Sequence, residues 1–62
     1  MASDDILLRL HRRGFGVTVN MWAEEDEVAV VLWREGRPVA SGEAHSLGEA
    51  LDRAEQHAEV NA

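Results

Sequence analysis

The hydrophobic pattern divides the chain into five segments, and the first of them has the period of a helix. Ile6 and Leu10 are one helical turn apart on an apolar stripe. Ser3 is a residue type that caps helix N-termini, and Gly14 is one that ends helices. The pattern therefore predicts a first helix from about residue 4 to residue 13.

The period then changes to two, which predicts three strands. Residues 15–23 alternate between apolar and polar, whereas residues 28–33 are apolar throughout, as in a central strand. The acidic residues between these segments predict a solvated turn. Glu35-Gly36 predicts a tight hairpin, and the short segment 39–41, which follows Pro38, predicts an edge strand.

The last segment predicts a second helix with one apolar face. Ser46 and Glu49 have the spacing of a capping box. The apolar stripe consists of Leu47, Ala50, Leu51, Ala54 and Ala58, and the predicted solvent side consists of Glu49, Asp52, Arg53, Glu55, Gln56 and Glu59. The fold class predicted is α+β, a single domain over residues 1–62 in the order α-β-β-β-α, with a three-stranded antiparallel meander packed against two helices.

The strand register decides which residues share a face of the sheet. Turns at 25–26 and 35–36 would set Met21 opposite Val30 and Leu32 opposite Val39. Apolar residues would then line the helix side, and the other face would carry Thr18, Asn20, Trp22, Ala29, Val31, Trp33, Pro38 and Ala40. A shift of one residue in the first loop would instead exchange the faces of the second and third strands relative to the first. In both arrangements Trp22 shares its face with apolar residues of the central strand.

Two helices can cover one face of this sheet, and the second face then displays apolar area. A contiguous apolar patch of a few hundred Å² typically marks an interface. The alternative is that a helix, a terminal segment or the long stems of Glu and Arg side chains cover it. We expect an interface, occupied by a second copy of the chain, and its predicted residues are Thr18, Asn20, Trp22, Ala29, Val31 and Trp33.

The charge of the chain predicts a second surface. Twelve acidic residues oppose six basic ones, for a net charge of −6. Glu24, Glu25, Asp26 and Glu27 are consecutive, and we expect them to present an acidic surface to a basic partner protein. The first residues do not resemble a signal peptide, and no apolar run is long enough to span a bilayer. These features predict a cytoplasmic protein without membrane contact.

The residue types do not form a set that predicts catalysis. The absence of cysteine excludes thiol nucleophiles, thiolate metal sites and disulfides. His11, His45 and His57 do not have the spacing of zinc ligands, and no glycine-rich loop predicts a phosphate site. We therefore predict a protein that is not an enzyme and uses no cofactor or metal.

Two family resemblances bear on the partner. The element order resembles the double-stranded RNA-binding domain and the HicA-type toxins that share its topology, and the segment from Asp5 to Phe15 resembles the start of the HicA-type toxins. That resemblance implies contacts with RNA, but Ser46-Leu47-Gly48-Glu49 stands where the RNA-binding domain has lysines, and the six arginines are dispersed, which disfavours duplex binding. Residues 15–58, notably Gly42 to Ala54, resemble HicB-type antitoxins. This second resemblance implies neutralisation of a basic partner by protein contact.

The sequence therefore favours a non-catalytic, acidic protein-binding module, a homodimer through the tryptophan-bearing face, that regulates or inhibits a basic partner in a bacterium or phage. The alternative is a weak binder of single-stranded nucleic acid. In that alternative Trp22 and Trp33 are stacking platforms, with Arg34 and Arg37 nearby.

Overall fold

The structure is a computed structural model that describes residues 2–22 and 26–60, with side chains for residues 4–21 and 26–60. Three strands form an antiparallel sheet in chain order, preceded and followed by a helix. The elements are α1 (Ala2–Arg12), β1 (Gly16–Trp22), β2 (Glu27–Arg34), β3 (Arg37–Ala44) and α2 (Leu47–Val60). The predicted α+β class and the order α-β-β-β-α are confirmed.

Helix α1 ends where the sequence predicts, through a glycine in the left-handed region. Gly14 has a φ of +87°, and its N–H donates to the carbonyl of His11 at 3.0 Å. The N–H of Phe15 donates to the carbonyl of Leu10 at 3.1 Å, which completes a Schellman motif. Because the helix already includes Ala2, Ser3 lies within it, and the prediction that Ser3 is the N-cap is wrong.

The register between β1 and β2 differs by two residues from the predicted one. Met21 pairs with Val28 rather than with Val30, and the ladder ends at Trp22 and Glu27. The predicted register would have placed Glu24 directly opposite Glu27, and like charges in that position destabilise a sheet. A shift of two residues preserves the alternation of side chains, so the predicted faces of β1 and β2 are retained.

The hairpin between β2 and β3 confirms the predicted turn but contains a bulge. Glu35 and Gly36 both have positive φ, 54° and 77°, as a type I′ turn requires. Trp33 pairs with Pro38 and Leu32 with Ala40, so Val39 is the extra residue. The predicted pairing of Leu32 with Val39 is therefore wrong, as is the placement of Ala40 on the open face, because Ala40 is buried in the core.

The core lies between the helices and one face of the sheet. Its strand residues include Val28, Val30 and Leu32 of the central strand, and the helices contribute Leu10 and Leu51. Three small residues of β3 (Ala40, Gly42 and Ala44) are also buried. Strand β3 is longer than the predicted 39–41 because these small residues let it continue beneath α2.

Helix α2 approaches β3 most closely at Gly42. A Cβ atom built on Gly42 would lie 2.5 Å from the carbonyl oxygen of Ala50 and 2.5 Å from the backbone nitrogen of Ala54. These are backbone atoms of α2, so they cannot move aside as a flexible side chain would. The hydrogen atom of glycine is therefore what allows the helix to pack at this distance.

The two helices are joined by an ion-pair network around Glu55. Arg9 donates from Nε to Glu55 Oε2 at 2.7 Å and from Nη2 to Glu55 Oε1 at 2.6 Å, a bidentate geometry. Arg13 Nη1 lies 3.4 Å from Glu55 Oε2 and 3.4 Å from Glu59 Oε1. Glu55 is only 7% exposed, so its predicted place on the solvent side of α2 is wrong. The hydrogen bonds from Arg9 lower the pKa of Glu55, assisted by the charges of Arg9 and Arg13.

Substitution of Gly42 is the sharpest test of this packing. We expect Gly42→Ala to lower the free energy of unfolding by about 2–3 kcal/mol, because overpacking forces backbone shifts. Gly16→Ala is the matched control, since a Cβ atom there would meet its nearest neighbour, Trp33 Cβ, at 3.5 Å, an ordinary contact. Urea unfolding followed by circular dichroism measures both, and equal losses would contradict a special role for Gly42.

The Glu55 network predicts a loss of stability in acid. The folded state holds the pKa of Glu55 below its ordinary value, so the stabilisation is complete above the unfolded pKa of about 4.3 and disappears as the pH falls through the folded pKa. Glu55→Gln removes this titration, and we expect its unfolding free energy to depend less on pH below about 4.3. Urea titrations at several pH values measure the slope, and a variant with the slope of the wild type would contradict this role of Glu55.

Candidate functional site

The face of the sheet opposite the helices is the candidate site. The buried strand residues Val28, Val30 and Leu32 all lie on the helix side, where α1 and α2 pack. Because side chains alternate along a strand, the intervening positions form the second face. Within the described ranges, neither helix packs on that face, and its positions include Gly16, Thr18, Asn20, Ala29, Val31, Trp33, Ser41 and Glu43. We call this surface the open face.

Trp33 is the largest described side chain on the open face. Its partner across the ladder is Gly16, and its indole Nε1–H donates to Thr18 Oγ1 at 2.9 Å. The indole therefore lies across β1 and is half-buried. This contact satisfies the polar atom of the ring and presents its apolar body to solvent.

Five of the six predicted interface residues have described side chains, and the structure brings these five together. Val31 lies at the centre, paired with Thr18 on one side and with Ser41 on the other. Asn20 pairs with Ala29 one step along the ladder. Of the remaining predicted site residues, the side chain of Trp22 and all of Glu24 and Glu25 lie outside the described residues. The role of the six predicted residues as an interface stays a prediction.

The open face carries little charge. Among its described positions the charged residues are Glu27, where the ladder with β1 ends, and Glu43, which pairs with Ala29. The area around Val31 is uncharged, and it combines an indole, a valine, an alanine and small hydroxyl side chains. Depletion of charge at the centre of a patch is typical of protein interfaces.

The end of the sheet at which Glu27 lies is acidic and also contains His45. The imidazole Nδ1–H of His45 donates to the backbone carbonyl of Asp26 at 2.9 Å. This hydrogen bond raises the pKa of His45, with further contributions from the charges of Asp26, Glu27 and Glu49. Asp26 is exposed and Glu27 is half-buried, so these two predicted members of the acidic surface do lie at one end of the sheet.

The opposite end of the sheet is basic. Arg34 lies with its guanidinium carbon 4.1 Å from the ring centroid of Phe15 and donates to the carbonyl of Arg13 at 3.1 Å. Phe15 belongs to the core on the helix side, so Arg34 points away from Trp33. The structure therefore does not place Arg34 beside Trp33, and the single-strand alternative as a whole stays a prediction.

Sequence reasoning missed a contrast between the two edges of the sheet. The outer edge of β3 is covered by α2: the N–H of Ser41 donates to His57 Nδ1 at 3.1 Å, and Arg53 Nη1 donates to the carbonyl of Glu43 at 2.8 Å. At the other edge, Val19 and Met21 of β1 are 38% and 69% exposed. A signal was present in the sequence, because residues 16–22 contain no charged residue, whereas edge strands ordinarily carry charge.

Comparisons of the chain with family models, with curated proteins and with solved structures found no match. Within the described residues, there is no group of three or more His, Asp or Glu side chains that could hold a metal ion. No helix in these ranges combines the length and the apolar character needed to cross a bilayer.

The position of His45 predicts a second pH dependence, opposite in sign to that of Glu55. Because folding raises the pKa of His45, its contribution to stability is complete below the unfolded value of about 6.5 and is lost as the pH rises through the folded pKa. We expect NMR titration of the imidazole to give a pKa above that of the same residue in urea. Equal values in the two states would contradict the contact with Asp26.

Proposed function

We propose that the chain is a non-catalytic protein-binding module whose open face is its docking surface. The observation that carries this proposal is an uncharged area around Val31 and Trp33 that neither helix covers. The module pairs with a second copy through this face and presents its acidic end, with Asp26 and Glu27, to a basic partner protein that it regulates or inhibits.

The charge pattern supports a second copy as the occupant of the open face. Each chain carries a net charge of −6, so two copies repel each other least when they meet through a neutral surface. The area around Val31 is such a surface, and the acidic residues of the open face lie to one side of it. A basic partner suits the acidic end instead, because opposite charges accelerate and orient the encounter.

The size of the open face predicts a weak pairing. Three strands of about seven residues make a flat area of roughly 14 by 23 Å, or about 320 Å². A standard interface buries about 800 Å² on each partner. Even with the roughness of a real surface, the face of one chain is smaller than a standard interface, and we expect micromolar affinity.

Val31→Lys tests this docking surface. We expect the variant to weaken pairing through the face by at least about tenfold, because an unpaired ammonium group at the centre of an apolar contact is costly to bury. Val31 is only half-buried in the isolated chain, so the folded state tolerates the change. Sedimentation velocity over a concentration series measures the association.

The matched control is Val60→Lys, which places the same charge at an 82% exposed position at the end of α2. We expect it to associate as the wild type does. An identical mass distribution for Val31→Lys and the wild type would overturn pairing through the open face.

Capture experiments with the wild type and a Glu27→Gln/Glu49→Gln variant test the acidic end. We expect the variant to retain a basic partner less well than the wild type does, and we expect the wild type to retain it more weakly at high salt.

A further inference from the structure

The exposed edge of β1 is a second candidate contact surface. It would bind through backbone groups of β1, whereas the open face would bind through side chains. The hydrogen-bonding direction of each β1 residue follows from the contacts at the far edge of the sheet. Ser41 and Glu43 direct their backbone groups outwards, to His57 and Arg53. In an antiparallel sheet both backbone groups of a residue point to the same side, and the side alternates along the strand. Ala40, Gly42 and Ala44 therefore point towards β2.

The same alternation carries across the sheet to β1. Since Val30 bonds with Gly42, the neighbouring residues Ala29 and Val31 direct their backbone groups towards β1, where they pair with Asn20 and Thr18. Three residues of β1 are left with their N–H and C=O groups pointing away from the sheet: Val17, Val19 and Met21. Within the described residues, no hydrogen bond reaches these groups.

The side chains at these positions also lack cover. Val17 packs against the core, but Val19 and Met21 are 38% and 69% exposed, although they lie on the helix side of the sheet. Helix α1 contacts α2 more extensively than it contacts β1. The edge therefore combines outward backbone donors and acceptors with exposed apolar side chains, on a strand without charge, proline or bulge. An edge of this kind is a template for another strand.

We propose that β1 pairs antiparallel with β1 of a second copy, across a two-fold axis at Val19, to form a continuous six-stranded sheet. This register places Val19 opposite Val19 of the partner subunit, and Val17 opposite Met21 of the partner subunit. All three are residues with outward backbone groups, so the pairing forms six hydrogen bonds. It also buries part of Met21, which is 69% exposed in the isolated chain.

Charge complementarity favours a second copy over an unrelated strand. Antiparallel pairing brings the end of β1 in one protomer to the start of β1 in its partner. The end of β1 adjoins Asp26 and Glu27, whereas the start of β1 adjoins Arg13 and Arg34. The acidic end of each protomer therefore meets the basic end of the other at both sides of the two-fold axis, which offsets the repulsion between two chains of like net charge.

The edge contact and the open-face contact are geometrically compatible. The two-fold axis of an edge pairing is perpendicular to the sheet, so both open faces lie on the same side and their area doubles. Pairing through the open face has its axis parallel to the sheet. When the two axes intersect, the two operations together close into a tetramer with D2 symmetry, a common assembly. The edge pairing stands without the face pairing, in which case the assembly is a dimer.

The experiment replaces the residue on the proposed axis by charges of either sign. Val19→Lys and Val19→Glu each place like charges directly opposite across the axis. We expect each variant alone to show half the assembled mass of the wild type, with a dissociation constant raised at least about tenfold. An equimolar mixture of the two should regain the wild-type mass, because opposite charges then meet. Light scattering at matched concentrations measures all three samples.

Val39→Lys is the matched control on the protected edge, since Val39 is 40% exposed and lies in the bulge of β3. We expect it to keep the wild-type mass. Circular dichroism checks that the variants are folded, and Val31→Lys should keep the edge contact, which separates a failure of this proposal from a failure of the open-face one.

Hydrogen exchange of the wild type gives an independent test that needs no variant. The amides of Val17, Val19 and Met21 should gain protection as the protein concentration rises. A wild type with the mass of Val19→Lys, a mixture that does not regain mass, or fast exchange of these amides at all concentrations would overturn the proposal. The edge would then be unused or available to a strand from a different protein.

Discussion

The close approach of α2 to β3 at Gly42 is the constraint on which the rest of the structure depends. Backbone atoms of Ala50 and Ala54 lie where a Cβ atom on Gly42 would have to be. Dispersion forces between backbones at this distance are strong for a small interface, and they require small residues on both sides. The helix is thereby held above β3 rather than above the middle of the sheet.

Several features follow from this off-centre position. His57 and Arg53 of α2 come within hydrogen-bonding distance of the outer edge of β3, so that edge is satisfied by the chain itself. Helix α1 packs against α2 through the network at Glu55 and reaches only the beginning of β1. Val19 and Met21 are left exposed for this reason, and the sheet has one protected edge and one open edge.

The open face and the open edge have a common origin in the small size of the chain. A domain of about 60 residues has too few elements to cover both sides and both edges of a sheet. The described residues provide two helices, and both lie on the same face of the sheet. An assembly that supplies the missing cover, through the face around Val31 or the edge around Val19, would complete the hydrophobic burial that a single chain cannot reach.

Sequence reasoning predicted the element order, the glycine that ends α1, the Glu35-Gly36 turn and the Ser46 cap, because each depends on local chemistry. Ser46 Oγ does accept from the N–H of Glu49, at 3.3 Å. The central strand was also predictable, since a run that is apolar throughout and rich in valine is typical of a central strand. The predicted interface residues share a face because alternation survives a register shift of two.

The bulge in β3, the burial of Glu55 and the contrast between the two sheet edges depend on tertiary contacts. The bulge at Val39 places Ala40 opposite Leu32 and thus in the core. Glu55 is buried because Arg9 of α1 and Arg13, which directly follows α1, meet it from more than forty residues earlier in the chain. The contrast between the two edges arises in the same way: the sequence determined that β1 is uncharged, but the placement of α2 over β3 decided that β1 is the edge left open.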